Sequence, residues 1–387
     1  MKLTYKHTLA ASYTGYVTQA IVNNLIPLLF VTFSNRFDIN LTQISLLIVM
    51  NFGVQIIVDI IAAAYVDKIG FKTLAVTAHI CAALGLCGLS FLPFLFNSPI
   101  TGIIISVVLS AVGGGLCEVV ISPVVESLPL KNKAANMSIL HSFYCWGQMA
   151  VVLLSTLFFA VFAIDSWNIL PVIWAIIPAL NTVLFAAVPV YALCQPEQKM
   201  KFITLITSPV FLVFFLLMFC AGASELSMSQ WASYFAEQGL HVTKSVGDLL
   251  GPCAFALMMG LARVFFVKFE KKYKLKTLLI LSSVICIASY LTASLCPWPV
   301  VSLLGCAVCG MSVGMMWPGV ISLAAQKYKH AGGSMFAVLA IGGDIGCTFG
   351  PWLVGMIANG SQHLQTGLLF AIIFPMTMLI GCLKLKK

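Results

Sequence analysis

Long apolar blocks constrain this chain more than any other feature of its sequence. Each block holds about 20–25 residues, the length at which an α-helix crosses the hydrocarbon core of a bilayer. A helix also satisfies its own backbone hydrogen bonds, which lipid cannot do for it. Pro27 predicts a bend in the first block. The sequence therefore predicts an all-α membrane protein of twelve transmembrane helices, at residues 8–33, 42–65, 73–96, 100–126, 137–164, 168–193, 203–235, 246–267, 277–295, 299–325, 333–358 and 364–383.

The composition excludes a soluble protein. The chain is 60% hydrophobic and only 9% charged, whereas about 25% of the residues in an ordinary soluble domain are charged. Its 13 cysteines lie almost entirely within the apolar blocks. Cys306 and Cys309 form a CxxC pair, but neither polar neighbours nor a second pair accompanies them in the sequence. We interpret the cysteines as small packing residues and expect neither a metal site nor a cofactor.

The net charge of +9 fits membrane topology better than nucleic-acid binding. With the predicted helices, 18 of the 21 lysines and arginines fall in the tails and in loops on one side. Arg36 and Lys244 lie in loops on the other side, and Arg263 lies within a helix. The positive-inside rule then places both termini in the cytoplasm. We expect a multi-pass protein of the cell membrane, by default a bacterial inner membrane, with no nucleic-acid partner.

The first two predicted helices carry polar side chains at helical spacing. In the first helix these are Gln19 and Asn23, and in the second Asn51, Gln55 and Asp59. Residues four apart share one face of a helix. Such a face either lines a cavity or forms hydrogen bonds between helices. We expect Gln19 and Asn23 to line a cavity, whereas Asp59 also fits a gate.

The fourth and fifth helices carry a second set of polar residues. Glu118 lies inside the fourth, and a carboxylate there costs about 2.5–3.5 kcal/mol unless it faces the protein interior or water. Ser122 and Glu126 continue its stripe at i+4 and i+8. Tyr144 and Gln148 form a similar stripe at the start of the fifth helix, after His141. This arrangement predicts a cavity lined by both helices.

Four residues of the second half are further candidates. Glu225 and Asp344 lie well inside the seventh and eleventh helices. Glu225 fits either a binding site or a hydrated helix end. Asp344 lies in the middle of its helix and cannot extend to the membrane interface, so we expect it to have a functional role or a charged partner. Arg263, near the end of the eighth helix, either extends to the membrane surface or contacts a gate. Trp317 in the tenth helix either packs in the core or stacks on a solute.

An internal repeat divides the chain into two similar halves. Pro123 and Pro318 lie 195 residues apart, and Gly147 and Gly342 keep the same offset. Duplicated halves of a membrane transporter place a substrate site between them, near the middle of the bilayer. The predicted division is an N-terminal six-helix half at 1–193, a cytoplasmic linker at 194–201 and a C-terminal six-helix half at 202–387.

The loop between the second and third helices resembles the signature of the major facilitator superfamily. Asp67, Lys68, Gly70 and Lys72 stand where that pattern has Asp, a basic residue, Gly and a closing basic residue, whereas Phe71 departs from it. The resemblance implies the major facilitator fold of two pseudo-symmetric six-helix halves. It also implies that the Asp docks at the N-terminus of the eleventh helix, where a carboxylate meets the positive end of the helix dipole.

A narrower resemblance involves the fourth, fifth, seventh and eleventh helices. The stretches 113–123, 136–143, 222–225 and 342–351 are similar to the fucose-permease-like branch of sugar/proton symporters. That resemblance implies proton coupling through Glu118. Ile121 and Ser122 depart from the branch pattern, and the first helix lacks the acidic residue that the branch tends to have there. Glu118 would therefore act alone or with another intramembrane acid.

We therefore expect a secondary active transporter, and not an enzyme, that moves a small polar solute such as a sugar by alternating access with proton coupling. The expected partners are the small-molecule substrate, protons and the lipid bilayer, and the expected working unit is a monomer. Glu118 is the expected proton-coupling residue. The expected substrate-binding residues are Gln19, Asn23, Tyr144, Gln148, Glu225, Trp317 and Asp344. The expected gate residues are Asp59, Asp67, Lys68, Gly70 and Arg263.

Two alternatives share this fold. One is efflux of drugs or other amphipathic solutes, for which the 27 Phe and 16 Met could line a wide cavity. The other is a membrane sensor that no longer transports. A membrane enzyme is disfavoured because the sequence has neither a phosphate-binding GxxxxGK motif nor an HExxH zinc motif. It also lacks a recognisable nucleophile elbow.

Overall fold

The computed structural model describes residues 3–130, 133–190, 207–328 and 332–385. These residues form helices joined by short turns. We number the principal helix of each membrane span in chain order. They are α1 Tyr5–Asn24, α2 Leu41–Ile69, α3 Phe71–Phe91, α4 Pro99–Ser127, α5 Lys133–Phe162, α6 Leu170–Ala187, α7 Pro209–Ser229, α8 Ala254–Lys272, α9 Leu275–Leu295, α10 Pro299–Lys327, α11 Gly332–Ser361 and α12 Ile373–Lys384.

The predicted number of membrane spans is confirmed. Within the described residues, twelve helical segments are long and apolar enough to cross a bilayer. The first runs from Tyr5 to Phe37 and is interrupted by a 3₁₀ turn at Ile26–Leu29, where Pro27 predicts a bend. The predicted linker at 194–201 lies outside the described residues, so the predicted domain boundaries stay a prediction.

The segment between α7 and α8 contains two irregular turns. After α7, a short helix Ala232–Tyr234 leads into a π-helical turn at Phe235–Gly239. Before α8, a short helix Lys244–Asp248 leads into a second π-helical turn at Leu249–Cys253. Pro252 lies in that second turn and has no backbone N–H to donate. π-helical turns are rare, and those that do occur are often found at functional sites.

The helices group into two units that share several helix–helix contacts. Unit 1 comprises Met1–Ile39 and Val49–Gln195, and unit 2 comprises Asn40–Ile48 and Pro196–Lys387. In unit 1, α1 packs on α4, α5 and α6, and α3 packs on α4 and α6. In unit 2, α7 packs on α10, α11 and α12, and α9 packs on α10 and α12. The pattern therefore repeats after six helices, as the sequence repeat predicts.

Small residues allow these helices to approach closely. A Cβ atom added at Gly113 of α4 would lie 2.6 Å from the backbone of Ala78 and Ala82 in α3. In unit 2, a Cβ added at Gly346 of α11 would collide with the backbone carbonyl of Phe219 in α7. Lipid offers no hydrophobic force between helices, so close van der Waals packing of this kind holds them together.

We predict that Gly113→Ala lowers the thermal unfolding midpoint of the purified protein, because the added methyl group meets backbone atoms that cannot move aside. Overpacking of this kind costs about 1–3 kcal/mol. Gly53→Ala in α2 is the matched control, since the space around Gly53 is open within 4 Å and Ala favours a helix over Gly. Equal midpoints for the two variants in lipid nanodiscs would contradict the packing account.

Candidate functional sites

The polar residues of α1 and α2 form one hydrogen-bonded network in unit 1. Asn23 Oδ1 accepts from Asn51 Nδ2 at 3.0 Å and from Gln55 Nε2 at 2.9 Å. Gln55 Nε2 also donates to the backbone oxygen of Asn51 at 3.2 Å. All three side chains are buried. The helical spacing seen in the sequence thus brings these side chains together, here through bonds between helices.

Glu118 of α4 is bonded to the same face of α1, through Gln19. Gln19 lies one turn before Asn23 on α1, and its Nε2 donates to Glu118 Oε2 at 2.7 Å. The bond joins a neutral amide to an intramembrane carboxylate. We call Gln19, Asn23, Asn51, Gln55, Asp59 and Glu118 the unit 1 polar cluster.

Asp59 lies in this cluster because α4 has glycines where α2 crosses it. A Cβ atom at Gly115 would lie 3.1 Å from Gln55 Cα and 3.2 Å from Asp59 Oδ1. The Asp59 and Glu118 carboxyl groups are near enough to interact electrostatically. From its spacing, Asp59 fits a cavity-lining or a gate position, and its place near Glu118 makes it a candidate for the same chemistry. Its gate role stays a prediction.

Aromatic groups of α5 contact α1 beside the cluster. Asn24 Nδ2 lies 3.5 Å from the Tyr144 hydroxyl, at the long limit of a hydrogen bond. Tyr16 bonds Ser122 Oγ at 2.8 Å and packs edge-on against His141, with ring centroids 5.2 Å apart. Gln148 is buried, whereas Tyr144 is half-buried. Glu126, the last member of the predicted α4 stripe, is exposed.

Unit 2 pairs two candidates that the sequence analysis treated separately. Arg263 Nη2 of α8 lies 3.6 Å from Glu225 Oε2 of α7, and their side chains are 20% and 9% exposed. Arg263 therefore directs its guanidinium at Glu225, and its gate role stays a prediction. Desolvating two charges is costly, and their mutual attraction in a low-dielectric interior offsets that cost.

Trp317 and Asp344 also lie close to each other in unit 2. The Trp317 ring of α10 occupies the space that a Cβ atom at Gly343 of α11 would need. Asp344 follows Gly343 directly and is half-buried, and its backbone oxygen accepts from Thr348 Oγ1 at 2.9 Å. Trp317 therefore packs on α11 one residue before Asp344, and the binding roles of both residues stay predictions.

The predicted gate loop is only partly described. Lys68 Nζ lies over the Tyr65 ring, 5.7 Å from its centroid. Gly70 has φ +90°, a conformation that residues with a Cβ rarely adopt. The side chain of Asp67 lies outside the described residues. The loop thus requires its glycine, and the docking of Asp67 stays a prediction.

Two clusters of polar residues were not predicted from the sequence. In unit 2, Lys244 Nζ lies 3.0 Å from Glu237 Oε1 and 3.1 Å from Asp248 Oδ2, and Ser233 Oγ donates to Asp248 Oδ1 at 2.5 Å. The i,i+4 spacing of Lys244 and Asp248 is the signal that could have revealed this pair. In contrast, the burial of Lys244 depends on how the turns between α7 and α8 fold.

In unit 1, His79 of α3 is fully buried beside Asn181 of α6. Asn181 Nδ2 lies 2.8 Å from His79 Nε2 and 3.0 Å from the Ala11 backbone oxygen. His79 Nδ1 lies 2.7 Å from the Ala75 backbone oxygen. Because a carbonyl oxygen only accepts, the imidazole ring donates this hydrogen bond to its own helix. A single His within an apolar block offers no sequence signal for these contacts.

No group of three or more His, Cys, Asp or Glu side chains is placed to hold a metal ion within the described residues. Carboxylates, amides and aromatic rings make up the candidate sites instead. These groups suit recognition of a polar solute or an ion better than covalent chemistry.

The comparisons with known proteins agree with this architecture. A profile of the Major Facilitator Superfamily matches residues 12–382. The E. coli fucose:proton symporter FucP is 16% identical over 98% of both chains, with a TM-score of 0.66. A D-xylose-proton symporter is 14% identical over 97% of this chain and 95% of its own, with a TM-score of 0.77. The nucleoside transporter NupG is 12% identical over 98% of this chain and 99% of its own, with a TM-score of 0.79.

No curated protein sequence matches the chain. At these low identities, the likeness to the solved structures shows the shared fold alone.

The Glu225–Arg263 pair yields a stability prediction. Glu225→Gln or Arg263→Gln alone should lower the thermal midpoint, because the remaining charge keeps its desolvation cost without its partner. Such a loss reaches about 3–5 kcal/mol for a fully buried pair. The double variant should recover more than half of the loss, and thermal unfolding in nanodiscs measures the cycle.

The exposed pair Arg36–Asp165, 3.4 Å apart with side chains 44% and 91% exposed, provides the control. Arg36→Gln and Asp165→Asn should each change the midpoint little. Additive losses at Glu225 and Arg263 would show that the two charges do not stabilise each other.

Proposed function

This chain belongs to the Major Facilitator Superfamily, and we propose that it is a secondary active transporter that moves a small polar solute by alternating access. The membership makes it an integral membrane transporter. The carboxylates of the two units support a polar solute, since ionisable groups inside a membrane protein are costly and mark substrate or ion pathways.

The single observation that carries the proposal is the bond between Gln19 and Glu118. It holds a carboxylate inside the membrane with a neutral amide at 2.7 Å. In the described part of the chain, Glu118 forms no ion pair with a lysine or arginine. A carboxylate of this kind can gain and lose a proton as its surroundings change, because burial and nearby charges control proton affinity. We assign proton coupling to Glu118 on this basis.

A sugar or related polyhydroxyl compound is the substrate class that we propose. FucP and the D-xylose-proton symporter, named as sugar:proton symporters, share the fold of this chain. The hydroxyl of Tyr144 can exchange hydrogen bonds with a sugar, and the face of Trp317 can stack on its ring. Both side chains are half-buried. The remaining proposed substrate-binding residues are Gln19, Asn23, Gln148, Glu225 and Asp344.

Several of these residues must exchange an internal bond for a bond to the solute. Gln19 is bonded to Glu118, Asn23 to Asn51 and Gln55, and Glu225 to Arg263. Binding that replaces one bond of a network by another changes the charge environment of the network. Competition for Gln19 would thereby connect solute binding to the protonation of Glu118.

The loop that contains Asp67, Lys68 and Gly70, together with Asp59 and Arg263, is our proposed gate. The lysine-rich loops support a cell-membrane location with both termini in the cytoplasm. We propose that the transporter acts as a monomer.

We predict that Glu118→Gln keeps solute exchange but loses accumulation driven by a pH gradient. Glutamine retains the size and hydrogen-bonding capacity of the side chain but cannot carry a proton. Counterflow of radiolabelled sugars into proteoliposomes measures exchange, and uptake with a more acidic outer solution measures accumulation. Glu126→Gln, an exposed acid on the same helix, should keep both activities.

Full pH-driven accumulation by Glu118→Gln would overturn the coupling assignment. If folded wild-type protein exchanges no sugar but exchanges amphipathic cations, the substrate class proposed here is wrong.

A further inference from the structure

The loop before α3 and the loop before α9 occupy equivalent places in the internal repeat but differ in charge. An offset of 204 residues, at which a Lys-Thr-Leu sequence recurs, aligns residues 67–72 (DKIGFK) with residues 271–276 (KKYKLK). The structure agrees with this alignment, since Gly70 is the N-cap residue of α3 and Lys274 is that of α9. The second loop therefore has a lysine where the first has Asp67, and another where the first has its glycine.

The loop of unit 2 exposes its lysines. Lys272 and Lys274 are both exposed, and Lys272 Nζ lies 5.5 Å from the centroid of the exposed Tyr273 ring. Neither lysine forms an ion pair with an acid in the part of the chain that the structure describes. Glu270 precedes this stretch, and its side chain lies outside the described residues. The loop thus presents positive charge where the loop of unit 1 has an acid.

Lys276 brings the end of α12 to the same place. Its Nζ donates to the backbone oxygen of Leu385 at 2.6 Å and to that of Leu383 at 3.3 Å. A lysine at the C-terminus of a helix satisfies carbonyls that have no partner within the helix. Lys384, between the two bonded residues in sequence, is exposed. We call the exposed lysines at this end of α9 and α12 the unit 2 lysine surface; they are Lys272, Lys274 and Lys384.

Exposed apolar side chains continue from this surface along the outside of α9 and α12, which pack against each other. Leu281 of α9 follows Lys274 at i+7, and Ile380 and Met376 of α12 precede Lys384 by four and eight residues. These spacings keep each set on one helix face, and the three apolar side chains are exposed. Positive charge at the end of an exposed apolar surface matches the two parts of a phospholipid, a phosphate headgroup and its acyl chains.

We propose that the unit 2 lysine surface binds the headgroup of an anionic phospholipid, whose acyl chains lie along α9 and α12. Lysine binds phosphate as a point charge, and each lysine near an anionic membrane surface strengthens binding by about fivefold. The apolar side chains next to the lysines favour a lipid over a soluble anion. Exposed Tyr273 fits the same location, because tyrosine concentrates at the membrane–water interface. Lipid binding does not depend on the proposed transport function.

The test is a titration of the purified full-length protein in detergent with phosphatidylglycerol or with phosphatidylcholine, in which native mass spectrometry counts each bound lipid. We expect the first phosphatidylglycerol to bind at least tenfold more tightly than phosphatidylcholine. Added salt should reduce this preference, because it screens exposed charges. Lys274→Gln should weaken phosphatidylglycerol binding by about fivefold. The triple variant Lys272→Gln, Lys274→Gln and Lys384→Gln should lose the preference.

Two further triple variants separate the site from surface charge in general and from misfolding. Arginine at the same three positions keeps the charge and should keep the preference. The variant Lys6→Gln, Lys72→Gln and Lys327→Gln removes as many exposed lysines elsewhere and should also keep it. Lys276 stays intact in every variant, because it holds the end of α12. Absence of a preference in folded wild-type protein, or an equal loss in the two glutamine variants, would overturn the proposal.

A competition experiment distinguishes a lipid from a free anion. Inorganic phosphate should displace no more phosphatidylglycerol than chloride does at the same ionic strength, because it cannot contact the apolar side chains of α9 and α12. Stronger displacement by phosphate would overturn the choice of a lipid. Because all of these measurements are made without transport, a failure to exchange sugars would contradict the proposed function and leave lipid binding unaffected.

Discussion

The Gln19–Glu118 hydrogen bond is the interaction on which the rest of the candidate site depends. A carboxylate inside a bilayer must face water, a cation or a hydrogen-bond donor, and here a neutral amide at 2.7 Å is its donor. The close approach of α2 to α4 at Gly115 brings Asp59 to the same place. The bond thereby connects α1 to α4, and Gly115 lets α2 pack against α4 at the same level. Glu118 therefore lies where three helices meet.

The two units accommodate their intramembrane carboxylates in different ways. Unit 1 bonds its Glu118 carboxylate to the amide of Gln19, whereas unit 2 pairs Glu225 with Arg263 at 3.6 Å. An internal ion pair stays charged and is costly to break, because each partner would then keep its desolvation cost alone. The amide-bound carboxylate carries no such penalty when it gains a proton. Unit 1 therefore fits the proposed ion coupling better than unit 2 does.

Properties local in sequence could be predicted, and properties that depend on distant pairs could not. The twelve spans and the interruption at Pro27 follow from hydropathy and proline chemistry, which act over one helix. The polar stripe of α2 was also visible as a spacing. Its direction toward Asn23, however, depends on how α2 packs against α1. The Glu225–Arg263 pair likewise requires the fold, because sequence shows neither the depth nor the orientation of a side chain. The i,i+4 spacing indicates the Lys244–Asp248 pair but not how far it is buried.

Measurement of charge movement tests the central claim most directly, that Glu118 couples solute binding to ion transfer. Solute is applied rapidly to wild-type and Glu118→Gln proteoliposomes on a solid-supported membrane, and the transient current is recorded. We expect a solute-induced current from the wild-type protein and none from Glu118→Gln, although the variant still exchanges solute. An undiminished current from the variant would show that the charge moves through another group and would contradict the account.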